Sequence, residues 1–312
     1  VVDGGMPRGD ILPLSDITPV TFTRDSVWDA TLTNNGTWQA TSLTGTKIDV
    51  AHLNLGTAGA FAVAADFNGD GVAEIAMYSD GYWFIDINGN GRWDADDLWA
   101  EMGSQADIPV VGDWDGDGKD DIGVYGLQWP GDNKTLAQDP GLPDLANREV
   151  TKPKNVPPTR QLGASRNRLM QTTARGDVRA DVVDHVFQYG RGQEVAVTGD
   201  FNGDGVDNIG TYQDGHWKLD TNGDGRISAG DQVVEFGQAG DIPVVGDFNG
   251  DGVDQIGVFR DGKWHLDTNG DLQQDHLDQV FQLGTDGDQP IVGDFDGDGI
   301  DDIAVYQIKK AG

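Results

Sequence analysis

Short apolar runs of four to six residues recur along the chain, each closed by Gly or Asp, and their order repeats. One period reads DIPVVGD (241–247), an acidic stretch, QIGVF (255–259), an Asp-Gly turn at Asp261 and Gly262, KWHLD (263–267), a second polar stretch, and QVFQLG (279–284). Alternation at a spacing of two, with Asp-Gly between two such runs, predicts strands and a tight hairpin. Four antiparallel strands in about 40–50 residues is the size of one propeller blade. The expected fold is therefore all-β, a β-propeller of four-stranded blades.

The acidic stretch sets the period. It begins at Asp66, Asp113, Asp200, Asp247 and Asp294, so copies lie 47 residues apart except where about 40 extra residues intervene. Those extra residues fall within 126–180, a Pro-rich segment (Pro130, Pro140, Pro143, Pro153, Pro157, Pro158) that also carries Lys152, Lys154, Arg160, Arg166, Arg168, Arg175 and Arg179. A basic insertion in an acidic chain is expected to be a surface loop or an arm that docks on an acidic surface. DITPVTF (16–22) with Gly36 and Trp38 looks like a degraded first copy, and the chain stops two strands into a period, after DIAVY (302–306). The last strands are thus expected to pair with N-terminal ones, which removes a free sheet edge. Five or six blades result, seven being less favoured, with 1–15 as an N-terminal arm, 16–308 as one propeller interrupted by 126–180, and 309–312 as a tail. Trp38, Trp83, Trp217 and Trp264 share one place in the repeat and are expected to pack between blades.

The acidic stretches are DFNGDGVAE (66–74), DWDGDGKDD (113–121), DFNGDGVDN (200–208), DFNGDGVDQ (247–255) and DFDGDGIDD (294–302). Oxygen-bearing side chains stand at positions 1, 3, 5 and 9, with Gly between them. A hard cation that takes six to eight oxygens, backbone carbonyls included, needs that spacing, and Ca²⁺ fits it better than Mg²⁺ or Zn²⁺. The expected ligands are Asp66, Asn68, Asp70, Val72 (carbonyl) and Glu74; Asp113, Asp115, Asp117, Lys119 (carbonyl) and Asp121; and Asp200, Asn202, Asp204, Val206 (carbonyl) and Asn208. The last two loops contribute Asp247, Asn249, Asp251, Val253 (carbonyl) and Gln255, then Asp294, Asp296, Asp298, Ile300 (carbonyl) and Asp302. Carboxylate count ranks the 294 and 113 loops strongest, then 66, then 200 and 247.

A second class of loop lies between the third and fourth strands and matches the twelve-residue calcium loop, with ligands at positions 1, 3, 5, 7, 9 and 12. Its copies offer Asp86, Asn88, Asn90, Arg92 (carbonyl), Asp94 and Asp97; Asp220, Asn222, Asp224, Arg226 (carbonyl), Ser228 and Asp231; and Asp267, Asn269, Asp271, Gln273 (carbonyl), Asp275 and Asp278. In the third copy Leu272 stands where Gly belongs. Only Asp181 and Asp184 survive of a fourth. Five to eight Ca²⁺ sites are expected in all.

Composition narrows the partners. Of 312 residues, 53 are acidic and 21 basic, for a formal charge of −32, which argues against nucleic acid. Regular Trp, Tyr and Phe argue against acidic disorder. No apolar run reaches membrane-spanning length, and the lack of a leader at Val1 is expected of a processed or excised fragment. There is no Cys. Weak all-oxygen calcium sites suit millimolar extracellular calcium. The chain holds neither G-x-S-x-G nor H-E-x-x-H nor a phosphate-cradling loop, so no catalytic residue is expected.

The acidic phrases resemble the FG-GAP/VCBS repeats of integrin α-subunit propellers and of large bacterial surface proteins, over roughly 61–306 less the insertion. The resemblance implies a calcium-stapled propeller displayed outside a bacterial cell, with a role in adhesion, assembly or ligand binding and the metal ligands named above. The expected function is thus a non-enzymatic adhesion or assembly module, whose partner is a surface or matrix protein, a glycan, or copies of itself. A calcium-dependent lectin is the alternative, and a polysaccharide-active enzyme the more distant one.

Overall fold

The computed structural model describes residues 36–44, 48, 60–79, 81–91, 93, 97–102, 107–114, 116, 118–126, 189–190, 194–223, 225 and 227–308. They form seventeen strands and no helix, so the described chain is all-β. The strands are β1 (Gly36–Thr41), β2 (Phe61–Ala65), β3 (Glu74–Ser79), β4 (Tyr82–Ile85), β5 (Leu98–Glu101), β6 (Ile108–Gly112) and β7 (Asp121–Tyr125). They continue with β8 (Val195–Gly199), β9 (Asn208–Gln213), β10 (His216–Leu219), β11 (Gln232–Glu235), β12 (Ile242–Gly246), β13 (Gln255–Arg260), β14 (Lys263–Leu266), β15 (Gln279–Gln282), β16 (Gln289–Gly293) and β17 (Asp302–Ile308). Residues 16–22, Leu53, 127–180, Asp181, Asp184 and 309–312 lie outside the described residues.

Five antiparallel sheets result: β2–β3–β4–β5, β6–β7, β8–β9–β10–β11, β12–β13–β14–β15, and β16–β17 joined by β1. Three are complete meanders of the kind the repeat predicts. The Asp-Gly pairs turn as the hairpin requires: Asp261 and Gly262 have φ of 52° and 78°, and Asp214 and Gly215 have 52° and 90°. Two successive positive φ values match the right-handed twist of the flanking strands. At Gly262 a Cβ would sit 2.2 Å from the Gly284 carbonyl oxygen, so no other residue fits.

The N-terminal strand does not found a sheet of its own. It pairs with β17, Gly36 opposite Ile308 and Thr41 opposite Ile303. Trp38 stacks on Tyr306 with ring centroids 5.0 Å apart, as Tyr78–Trp83 (5.1 Å), Tyr212–Trp217 (4.8 Å) and Phe259–Trp264 (5.1 Å) do in the complete sheets. β1 thus fills the third-strand place of the last sheet, and the expected pairing of chain ends is present.

Second strands β3, β9 and β13 are buried along nearly their whole length, so both their faces are covered, while β11 and β15 are mostly exposed. The cores lie between successive sheets. Val244, Phe259, Trp264 and Leu266 pack against Ile303 and Val305 of the last sheet. Trp38, Ile291 and Tyr306 of that sheet pack against Ala62, Met77 and Phe84 of the first. The first strands follow suit: β2 lies beside β6, β6 beside β8, β8 beside β12, β12 beside β16, and β16 beside β2. They surround a channel of about 370 Å³. Among the described residues no helix is long and apolar enough to cross a membrane.

Trp83, Trp217 and Trp264 are fully buried, and each indole N–H donates to a backbone carbonyl just past the fourth strand, at Met102, Phe236 and Leu283. Each ties its own sheet together and fills the space between sheets. Trp264→Ala is expected to cost about 3–5 kcal/mol, the usual loss for a buried Trp truncated to Ala, read as a shift in a urea unfolding midpoint.

Candidate metal centres

Each acidic loop joins a first strand to a second strand and folds around its own leading Asp. Asp66 Oδ1 accepts from the amides of Gly69 (2.6 Å) and Asp70 (3.1 Å), and its Oδ2 from Gly71 (2.8 Å). Asp200, Asp247 and Asp294 accept from their fourth, fifth and sixth residues in the same way, and Asp113 from Gly116 and Gly118. The fifth residue then takes the seventh amide, as Asp298 does from Ile300 (3.0 Å). The ninth side chain reaches back to the second amide: Glu74 to Phe67 (3.0 Å), Gln255 to Phe248 (2.8 Å), Asp302 to Phe295 (3.1 Å). These bonds require a tightly curled backbone, and Gly69 and Gly71 supply it at φ of 81° and 84°.

Two loops gather three carboxylates each with oxygens within 4.8 Å of one another: Asp66, Asp70 and Glu74, and Asp294, Asp296 and Asp302. In the second set both oxygens of Asp296 and Oδ1 of Asp302 are buried without a hydrogen-bond partner. Asn208 Oδ1, in the 200 loop, is buried and unpartnered too. Unpaired buried carboxylate oxygens are costly, and an all-oxygen donor set fits a hard divalent cation. The 200 and 247 loops place neutral Asn208 and Gln255 where the other two have a carboxylate. Asp115 and Asp117 of the 113 loop lie outside the described residues.

The second-class loops adopt the expected curl. Asp86 accepts from Asn90 and Gly91, Asp220 from Gly225, and Asp267 from Asp271 and Leu272. Leu272 holds φ of 59° where glycine was expected, so the loop keeps its shape despite the Cβ. Its side chain packs against the core between the third and fourth sheets, an apolar contact that offsets the strain of roughly 1 kcal/mol or more. Asp278 Oδ1 is buried and unpartnered. Among the described residues none of these loops brings three carboxylates as close as the 66 and 294 loops do. Arg92, Asp94, Asp224 and Arg226 lie outside the described residues.

The two loop classes meet at one end of each of the three complete sheets. The amide of Asn68 donates to the Ile87 carbonyl, Asn202 to Thr221 (3.4 Å) and Asn249 to Thr268 (3.4 Å).

Sequence reasoning missed the eighth residue of the acidic loops. The Asp120 amide donates to the Asp66 carbonyl (2.9 Å), and the Asp120 carboxylate accepts from the Asp66 amide (2.7 Å). Asp207 clasps Asp113, Asp254 clasps Asp200, and Asp301 clasps Asp247 in the same two-bond manner. At the fifth seam the residue is Ala73, which keeps only its amide bond to the Asp294 carbonyl (2.7 Å). Gln289 compensates there, exchanging two side-chain bonds with the backbone of Ala62. The clasp explains the glycine before three of the loops: a Cβ on Gly112, Gly199 or Gly246 would lie 2.6, 2.5 or 2.5 Å from the carboxylate of Asp207, Asp254 or Asp301, whereas Ala65 precedes the loop that Asp120 clasps. Asp in the eighth place of four copies was the visible signal, masked by the acids around it.

The four clasping carboxylates converge on the channel. Burial raises all of them: Asp120 to about 6, Asp254 to about 7, and Asp207 and Asp301 well above the usual range, with neighbouring carboxylates adding to the effect. Burial, then Asp66 and Asp70, raise Glu74 to about 8; burial and Asp296 raise Asp302 to about 6. Groups that bind protons more tightly when folded stabilise the fold below their unfolded pKa, and that stability is lost as pH rises through the folded pKa. Metal-free protein is therefore expected to lose stability steadily between about pH 4 and pH 8. Melting in EDTA across that range checks it; a melting temperature that rises with pH is the opposite sign. Separately, Gly246→Ala is expected to cost about 1–3 kcal/mol, as overpacking does, in denaturant unfolding.

No family model matches this chain, and no curated protein matches it. Solved structures give loose likenesses. A lectin from Agrocybe aegerita that recognises non-reducing terminal N-acetylglucosamine aligns at 15% identity and TM-score 0.34, over 78% of this chain and 73% of the lectin. The Tc holotoxin pore of Photorhabdus luminescens aligns at 13% identity and TM-score 0.35, over 88% of this chain but 14% of the toxin chain. The TcdB2-TccC3 complex aligns at 12% and 0.36, over 88% and 15%. At these TM-scores the likenesses bear on neither fold nor function.

Proposed function

We propose that the chain is a five-bladed β-propeller of the FG-GAP/VCBS kind whose loops bind Ca²⁺, and that it acts outside the cell as a non-enzymatic adhesion or assembly module. The five meanders or part-meanders, succeeding one another around one channel with β16 beside β2, support the propeller. The observation that carries the metal reading is the 294 loop, with three convergent carboxylates and three buried carboxylate oxygens that have no protein partner. Calcium would supply positive charge to those oxygens and allow the acidic ends of the sheets to pack. The nine-residue acidic loops offer it carboxylates, neutral amide oxygens and carbonyls, and contain no His or Cys. The adhesion or assembly role rests on the resemblance of the acidic phrases to the repeats of displayed surface propellers.

A site of modest affinity, in 2 mM Ca²⁺, stabilises the fold by about 1–2 kcal/mol per loop, so several together should move the melting temperature by well over ten degrees. Melting in CaCl₂, then in EDTA with Mg²⁺ restored, is the direct check. A curve indifferent to EDTA, together with a metal analysis that finds no calcium, would refute the reading. Asp294→Asn with Asp298→Asn is expected to lower the calcium-bound melting temperature more than Asp200→Asn with Asp204→Asn; equal losses would overturn the ranking of sites.

A further inference from the structure

Four seams of the ring join neighbours that are close in sequence or successive along the chain, but the last sheet is completed from the other end. β1 runs antiparallel to β17, and its register ends with Thr41 opposite Ile303, one residue short of Asp302. The chain then turns over the 294–302 loop. Ser42 is 5% exposed and lies beside the Asp302 carboxyl. Its Oγ stands 2.8 Å from Thr44 Oγ1 and accepts from the Thr44 amide at 3.2 Å. Thr44 Oγ1 in turn donates to Asp298 Oδ2 at 2.9 Å, across 254 residues of chain. Leu43, between them, packs on the core between the fourth and fifth sheets.

In the complete sheets the acidic loop leans on the second-class loop of its own sheet, 19 residues away in sequence at Asn68–Ile87, Asn202–Thr221 and Asn249–Thr268. In the last sheet the segment after β1 takes that place. The residue it covers, Asp302, is wholly buried, and its Oδ1 has no partner, as neither oxygen of the adjoining Asp296 has. One oxygen each from Asp294, Asp296, Asp298 and Asp302 and the Ile300 carbonyl make five, short of the six to eight oxygens calcium takes. Among the described residues the Ser42 and Thr44 hydroxyls bring further oxygens to this set, beside the Asp302 carboxyl and at Asp298 Oδ2.

We propose that Ser42 and Thr44 are part of the cation site of the 294–302 loop, and that filling this site locks the N-terminal strand onto the C-terminal one. The proposal rests on the reading that this loop binds Ca²⁺. A ligand that binds only the closed arrangement stabilises it over the open one by linkage, whatever else it does. Without the cation, β1 is held by its ladder and by Trp38, while the loop beneath it carries unpaired charge. With the cation, peeling β1 away also costs the ion its hydroxyl-bearing cover. Among the described residues no other acidic loop bears such a relation to β1.

Hydrogen exchange of the β1 amides in the full chain tests this. In wild type, 2 mM CaCl₂ is expected to slow exchange over 36–41 at least tenfold relative to EDTA. Asp296→Asn, and separately Ser42→Ala with Thr44→Val, should abolish most of that protection, while Asp251→Asn, in a loop of another sheet, should leave it intact. If Asp296→Asn fails to fold, the hydroxyl double variant carries the test. Protection of β1 that ignores calcium, or that survives the hydroxyl double variant, overturns the proposal. Calorimetry separates the two levels: no calcium uptake by wild type sinks the metal reading itself, whereas uptake and global stabilisation without β1 protection sink only the lock.

Discussion

Carboxylates gathered at one end of the sheets are the constraint on which the rest of this structure depends. The same acids perform three tasks there. The leading Asp of each loop collects backbone amides and shapes the turn. The eighth residue reaches across to the neighbouring sheet. The ninth is buried in four of the loops, and in the 294 loop Asp296 and Asp302 retain oxygens that no protein donor satisfies. Burial raises the proton affinity of several of these groups, which expresses the cost of holding like charges together in a medium that screens them poorly.

The seams show how local chemistry becomes global closure. A two-bond clasp between the backbone of one loop and the Asp of the next fixes neighbouring first strands side by side, and at three of the four clasps the preceding glycine (Gly112, Gly199, Gly246) leaves room for the carboxylate. Where Ala73 replaces the Asp, one clasping bond is lost, and that seam is the one where the first sheet meets the last. Gln289 and the shared core around Trp38, Ile291 and Met77 hold it instead. Closure there draws on a different set of contacts from the other four seams.

The buried indoles complete the same logic from the outer side. Trp83, Trp217 and Trp264 each bridge the third strand to the end of the fourth, and Trp38 occupies the equivalent place although it lies 268 residues before its partner Tyr306. A residue that can be recognised by its place in a repeat thus serves a sheet assembled from both ends of the chain.

By itself the sequence determined the local elements: the four-strand order, the Asp-Gly hairpins, the curl of both loop classes and the burial of the repeat Trp residues. These follow from short-range rules, namely alternation, positive φ at glycine and the reach of an Asp to amides three to five residues ahead. A pairing of the last strands with N-terminal ones was also legible, because Gly36 and Trp38 keep the repeat's strand-to-Trp spacing without an acidic loop of their own. Only the tertiary structure decided that β1 belongs to the last sheet rather than to a further one, since that depends on which edge is free. Only it revealed Asp120, Asp207, Asp254 and Asp301 as clasps, because their partners lie about one repeat away in space and look like further acids in the sequence. It also decided that Leu272 is tolerated at a glycine position, for the apolar contact that offsets the strain comes from a neighbouring core that no local pattern contains.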